Sequence, residues 1–128
     1  MDKEELNNLT HKIIGGAIDV HEALGPGLLE SSYHQALLHE LRLRGLHADS
    51  EVGIPCVYKG IKIDTSFRAD IIVENTIIIE LKATEKETSL YSKQLLTYLK
   101  LSGLPVGLLI NFNRERLIDG LHRIVNNL

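Results

Sequence analysis

The sequence predicts an α/β protein in which one mixed central sheet is flanked by helices. Three observations predict it. Three segments carry apolar residues at spacings of three and four. Short runs rich in isoleucine and valine lie between and after them, bounded by turn residues. The order is two helices, a meander of strands, a helix, then strands. At 128 residues, with 44% apolar and 24% charged residues, the chain is sized for one domain spanning 1–128.

Residues 3–24 form the first expected helix, with Leu6, Leu9, Ile13, Ala17, Val20 and Leu24 as its stripe. Gly25-Pro26-Gly27 ends it. The second runs from about Leu28 to Arg44 and stops at Gly45. The period then changes. Residues 54–58, 61–64, 67–73 and 77–82 are expected strands, with Lys59-Gly60 as a turn. Residues 90–102 give the third helix, ended by Gly103 and Pro105. Residues 106–112 form an apolar strand with the character of a central one. Residues 120–125 suit a last short strand.

Several function classes drop out. No apolar stretch is long enough to span a membrane, and the polar opening MDKEELNNLTHK is not a secretion signal. Cys56 is the one cysteine, which excludes an internal disulfide and a cysteine-based zinc site; it is expected to be a small buried hydrophobe. A cytoplasmic location is expected. The net charge of −3 gives no global attraction to a polyanion, so any such contact must be local. The six histidines form no HxH or HExxH arrangement, and His21, next to the helix-one stripe, is assigned a structural role.

The chemistry gathers in DIIVENTIIIELKATEK, residues 70–86. Strand alternation puts Ile77, Ile79 and Leu81 on one face and Ile78, Glu80 and Lys82 on the other. Glu80 and Lys82 thus share a face, about 7 Å apart along the strand. Alone they would be a solvated ion pair of small consequence. Asp70, on the neighbouring strand, changes this. Two converging carboxylates repel unless a cation lies between them, and hard oxygen ligands suit Mg²⁺ or Mn²⁺. Register decides the matter. A two-residue loop at Glu74-Asn75 sets Asp70 opposite Ile79, away from Glu80. A three-residue loop, Glu74-Asn75-Thr76, or a bulge sets it opposite Glu80 and places Arg68 opposite Lys82. Both registers fit the sequence.

The helices add polar residues in apolar positions. Glu30 lines up with Tyr33, Leu37 and Leu41, although in a first turn it also suits the helix dipole. In the third helix Leu90, Tyr91, Leu95, Tyr98, Leu99 and Leu101 form the apolar arc, Gln94 falls inside it, and Lys93, Thr97 and Lys100 face away. A core glutamine bonded to backbone groups explains Gln94 equally well.

Together these residues resemble known motifs. Gly27-Leu28-Leu29-Glu30-Ser31-Ser32-Tyr33 has the spacing of the GxxExxY protein family. Asp70 followed by Glu80-Leu81-Lys82 resembles the core of the PD-(D/E)xK nuclease superfamily, with Ala69 in place of the motif's proline. Gln94 to Tyr98 is similar to the QxxxY motif of its RecB-like branch, and the tail from GLPVGLLINFN resembles the family's end. The resemblance implies a restriction-endonuclease-like αβββαβ core and metal-dependent phosphodiester cleavage. It implies that Asp70, Glu80 and the Leu81 carbonyl hold Mg²⁺ or Mn²⁺, with Glu30 completing the shell directly or through water. Lys82 would act on the water or the phosphate, and Gln94 and Tyr98 would support Lys82 and position substrate. Arg68, Lys93 and Tyr33 become candidate substrate contacts; for Arg68 and Lys93, plain surface charge fits as well. The implied partner is nucleic acid, DNA favoured over RNA, with a second copy of the chain or a targeting protein alongside.

Two rivals remain. One is an inactive nuclease-fold module for nucleic-acid binding or protein assembly, favoured by the negative charge and opposed by the complete acid-and-lysine set. The other is a two-carboxylate glycosidase, which has no use for Lys82 and would want aromatic sugar platforms; the chain has no tryptophan.

Overall fold

A computed structural model of the chain describes residues 1–63 and 67–127. Asp64, the expected end of one strand, lies outside the described residues. The first helix, α1, spans Lys3–Leu24. The Asp2 side chain accepts the Glu5 N–H at 2.8 Å and so satisfies an otherwise free amide of the first turn. The second, α2, spans Glu30–Leu43. It starts later than its pattern suggests because Leu29 is extended and the Leu28 N–H donates to the Tyr33 hydroxyl at 3.1 Å.

Five strands form the main sheet. They are β1 (Ala48–Gly53), β4 (Arg68–Val73), β5 (Ile77–Lys82), β6 (Val106–Asn111) and β7 (Leu121–Val125), in that spatial order. β5 and β6 run parallel and the other neighbours antiparallel. The third helix, α3 (Ser89–Ser102), makes the crossover from β5 to β6. A 3-10 turn at Leu117–Gly120 leads into β7.

Two differences from the expected meander stand out. β1 is an additional strand, the sheet's polar edge. The pair β2 (Cys56–Tyr58) and β3 (Ile61–Ile63) forms a separate two-stranded hairpin rather than joining the main sheet. Its side chains are exposed, and Cys56 is half-buried rather than a core residue.

The sheet is covered on both faces. Tyr33, Leu37, Leu41, Ile13 and Ala17 from the first two helices pack on Ile71, Ile79, Leu81 and Ile110. Leu95, Tyr98 and Leu99 of α3 pack on Ile72, Ile78 and Leu109. Burial on both sides explains why 77–81 is a run of apolar residues rather than an alternation. Gly107 lets α3 approach: a Cβ there would stand 2.8 Å from Leu95.

The register question is settled at the β4–β5 turn. Val73 pairs with Ile77, Ile72 with Ile78 and Ile71 with Ile79. The loop is therefore the three-residue one. Glu74 and Asn75 both take the left-handed conformation, at φ 52°, and the Thr76 N–H closes on the Val73 carbonyl at 2.9 Å. Counting onward, Asp70 comes opposite Glu80.

Candidate active site

At Asp70 the strand loses its regular form. In the β1–β4 ladder, Ser50 pairs with Ile71 and Val52 with Ala69, while the position between them, Glu51 facing Asp70, forms no pair. Glu51 sits at φ 52°, a left-handed conformation that costs a non-glycine residue about 1–2 kcal/mol. Ala69 and Ile72, three residues apart, enter the same core, so strict alternation breaks there. On the other side of β4, where the regular ladder with β5 ends at Ile71 and Ile79, β4 and β5 exchange side-chain bonds in place of a backbone rung. The Leu81 N–H donates to Asp70 Oδ2 at 2.8 Å, and the Asp70 N–H donates to Glu80 Oε1 at 3.1 Å. These two bonds bring the Asp70 and Glu80 carboxyl groups to the same point between the strands.

The electrostatics follow from this contact. Burial, and then the Asp70 charge, push the Glu80 carboxyl up from 4.5 to about 8, against the pull of the Asp70 N–H and of Lys82. Glu30, in the first turn of α2, is raised by partial burial; the Lys82 charge opposes the shift and Asp70 adds to it. Glu30 and Asp70 line one cleft of about 480 Å³ with Ser31, His34, Ser50 and Glu51. Tyr98 is raised by burial and then by the Glu80 and Asp70 charges. Asp70, Glu80, Glu30, Tyr98 and Lys82 therefore act on one place.

These residues suit a divalent cation in one particular way. Among the described residues, no three His, Cys, Asp or Glu side chains gather tightly enough to enclose a metal. A closed protein cage is thus absent from that region. Asp70 and Glu80 instead make a two-carboxylate platform, each with one oxygen held by a backbone amide. Mg²⁺ is commonly bound by one or two carboxylates and keeps several waters. Strand alternation also directs the Leu81 carbonyl to the Asp70 side, because the Leu81 N–H already points there while the Lys82 carbonyl accepts from the Phe112 N–H, just past the end of β6.

Other expected residues stand differently. Tyr33 is corrected: it is fully buried, stacked on Phe112 at 4.5 Å, with its hydroxyl donating to the Gly25 carbonyl and accepting from the Leu28 N–H. No exposed surface remains for substrate, its hydroxyl proton is already committed, and its work is to pin the loop before Glu30. Gln94 is exposed rather than within the apolar arc, because the helix turns its side chain past the edge of the core; its Nε2 donates to the Tyr98 hydroxyl at 3.2 Å. Among the described residues Lys82 hydrogen-bonds to neither Gln94 nor Tyr98, and its Nζ lies 4.5 Å from the Tyr91 ring centroid. Arg68 and Lys93 are exposed. His21 is structural, its Nε2–H donating to the Arg114 carbonyl at 2.7 Å.

Two residues of this region escaped the sequence reading. Tyr91 passed as part of an apolar arc. Asn111, the ladder partner of Lys82, is buried and ties down the chain beyond β5: its amide donates to the Thr84 carbonyl at 2.9 Å, and its Oδ1 accepts the Thr84 N–H at 3.3 Å. A polar residue closing the run LLIN was the available signal.

No curated protein and no solved structure matches the chain. The family model of the PD-(D/E)XK nuclease superfamily matches residues 7–124, which takes in most of α1, all of α2, the paired acids and most of the last strand. With its mixed five-stranded sheet and flanking helices, the chain belongs to the PD-(D/E)XK nuclease superfamily.

Proposed function

We propose that the chain is a divalent-metal-dependent phosphodiesterase that hydrolyses nucleic acid, DNA in preference to RNA. The observation that carries this reading is the meeting of Asp70 and Glu80 at the break in β4, with the charge of Lys82 beside them. Enzymes of this superfamily generally use divalent metal ions. In this reading Asp70, Glu80 and the Leu81 carbonyl would hold Mg²⁺ or Mn²⁺, with Glu30 completing the shell directly or through water. The ion supplies activation of the attacking water and offsets phosphate charge. Lys82 places an ammonium where negative charge grows on the phosphate. Tyr98, fixed by Gln94, borders the carboxylates and orients substrate. Arg68 and Lys93 contact flanking phosphates.

We read residues 1–128 as a single nuclease-like domain of the GxxExxY kind, with the RecB-like QxxxY pair at Gln94 and Tyr98. It acts in the cytoplasm with a second copy or a targeting protein. The motif spacing supports the first part. The net charge of −3 supports the need for help in finding substrate. Among the described residues no helix is long and apolar enough to cross a membrane.

The test is cleavage of labelled duplex DNA, single-stranded DNA and RNA, with Mg²⁺, with Mn²⁺ and with chelator. Metal-dependent cleavage that Asp70→Asn abolishes is expected. Binding without cleavage on every substrate would leave the inactive module as the function.

A further inference from the structure

Lys82 ends β5 with a flexible ammonium near two acids whose protonation its charge influences, Glu80 and Glu30. Attraction alone would draw it onto the nearest carboxylate. Yet among the described residues no carboxylate oxygen comes within 4.0 Å of it. The ammonium lies instead over the face of Tyr91, on the first turn of α3. A ring face attracts a cation through its quadrupole, so the seat is a stable one. Tyr91 is itself held, half-buried and packed against the core under α3.

We propose that Tyr91 is the positioning residue for Lys82, holding its ammonium off the Asp70–Glu80 pair so that these oxygens stay open to a divalent cation. The role rests on the nuclease reading above. An ammonium bonded to either carboxylate would occupy the place the cation needs, and would no longer be free to meet a phosphate. Open space lies beside the seat: Lys82 and Tyr91 line a cavity of about 210 Å³ with Lys86, Ser89 and Ser92. Tyr98 does not take this part: the ring beneath the Lys82 ammonium is that of Tyr91, and the Tyr98 hydroxyl is joined to Gln94. The positioning ring is thus one helical turn before the QxxxY pair.

Two variants and three readouts test this. Tyr91→Phe keeps the ring, and Tyr91→Leu keeps the bulk without it. In the metal-free protein, the Lys82 ε-methylene protons should show an upfield ring-current shift in wild type and in Tyr91→Phe. That shift should vanish in Tyr91→Leu while the fold, checked by amide spectra, persists. Titration with Mn²⁺ should show several-fold weaker binding in Tyr91→Leu alone. Cleavage by Tyr91→Leu should lose kcat by roughly 10–100-fold, the size expected for a misplaced catalytic group, with KM little changed and Tyr91→Phe near wild type. Lys82 methylene shifts in wild type equal to those of the other lysines would overturn the proposal. So would Mn²⁺ affinity unchanged in Tyr91→Leu. If the wild type cuts no substrate, the nuclease reading falls, and the proton shifts and the Mn²⁺ titration alone decide whether the ring holds the lysine away from the acids.

Discussion

Glu80 makes the metal-free protein sensitive to pH in an unusual direction. Its carboxyl is pushed from 4.5 to about 8 by burial and by Asp70. Between those values the folded state keeps a proton that the unfolded chain has released. Stability therefore falls as pH rises through this window. One proton gives at most about 1.4 kcal/mol per pH unit. Once charged, Glu80 draws water and the side chains shift, so a loss on the order of 1–2 kcal/mol between about pH 5.5 and about pH 7.5 is expected. For a domain of 128 residues that is a drop in Tm of roughly 3–8 °C. The assay is thermal and urea denaturation in chelator across this range, for wild type and for Glu80→Gln. The six histidines titrate in both proteins, so the difference between the two curves isolates Glu80. Glu80→Gln keeps the acceptor for the Asp70 N–H and lacks the charge. It should match wild type at the acid end and exceed it at the alkaline end. A difference between the proteins that stays constant across the range would refute the reasoning, since burial and Asp70 would then not be holding a proton on Glu80.

Four further outcomes follow from the same geometry. Mg²⁺ at a hundredfold excess over its Kd should stabilise wild type by about 2.7 kcal/mol, a Tm rise of roughly 8–11 °C in differential scanning, and Asp70→Asn should show none of it. Lys82→Ala should lower kcat by about two to four orders of magnitude while calorimetric Mg²⁺ affinity holds or improves, because the variant removes a charge and no ligand. Tyr33→Phe should cost about 1–3 kcal/mol in urea denaturation by stranding the Gly25 carbonyl and Leu28 N–H, and cleavage per folded molecule should not change. Gly120→Ala should be destabilised by about 1–3 kcal/mol or more, since the new methyl would stand 2.1 Å from the Asn111 carbonyl oxygen.

How much of this was legible in the sequence varies with the physics of each element. α1 and α3 were legible because each has an apolar stripe and a glycine that ends it, Gly25 and Gly103, both at positive φ. β1 was not, because ADSEVG is polar and lies at an edge, where burial imposes no pattern. The β2–β3 hairpin showed strand character, but local pattern does not say which sheet a strand joins. Asp70, Glu80 and Lys82 could be listed as chemistry, yet their convergence hung on one residue of loop length. That length depends on Glu74 and Asn75 both adopting the left-handed form, a choice glutamate seldom makes. Gln94 was misplaced because a helical wheel gives an angle and not the limit of the core. Tyr91 was hidden because a ring that seats a cation is indistinguishable in sequence from a ring that fills a core.

The bond from the Leu81 amide to Asp70 Oδ2 has a consequence for how such a chain can drift over generations. Asp70 does the work of a sheet rung, so its loss would strand a buried amide whatever the protein does with its site. A descendant that abandoned catalysis for binding would remain under pressure to keep an acceptor at this position. Lys82 carries no such duty, since its ammonium fastens no strand. Its disappearance would be cheap for the fold, and so it is the first place where retirement from chemistry would be written.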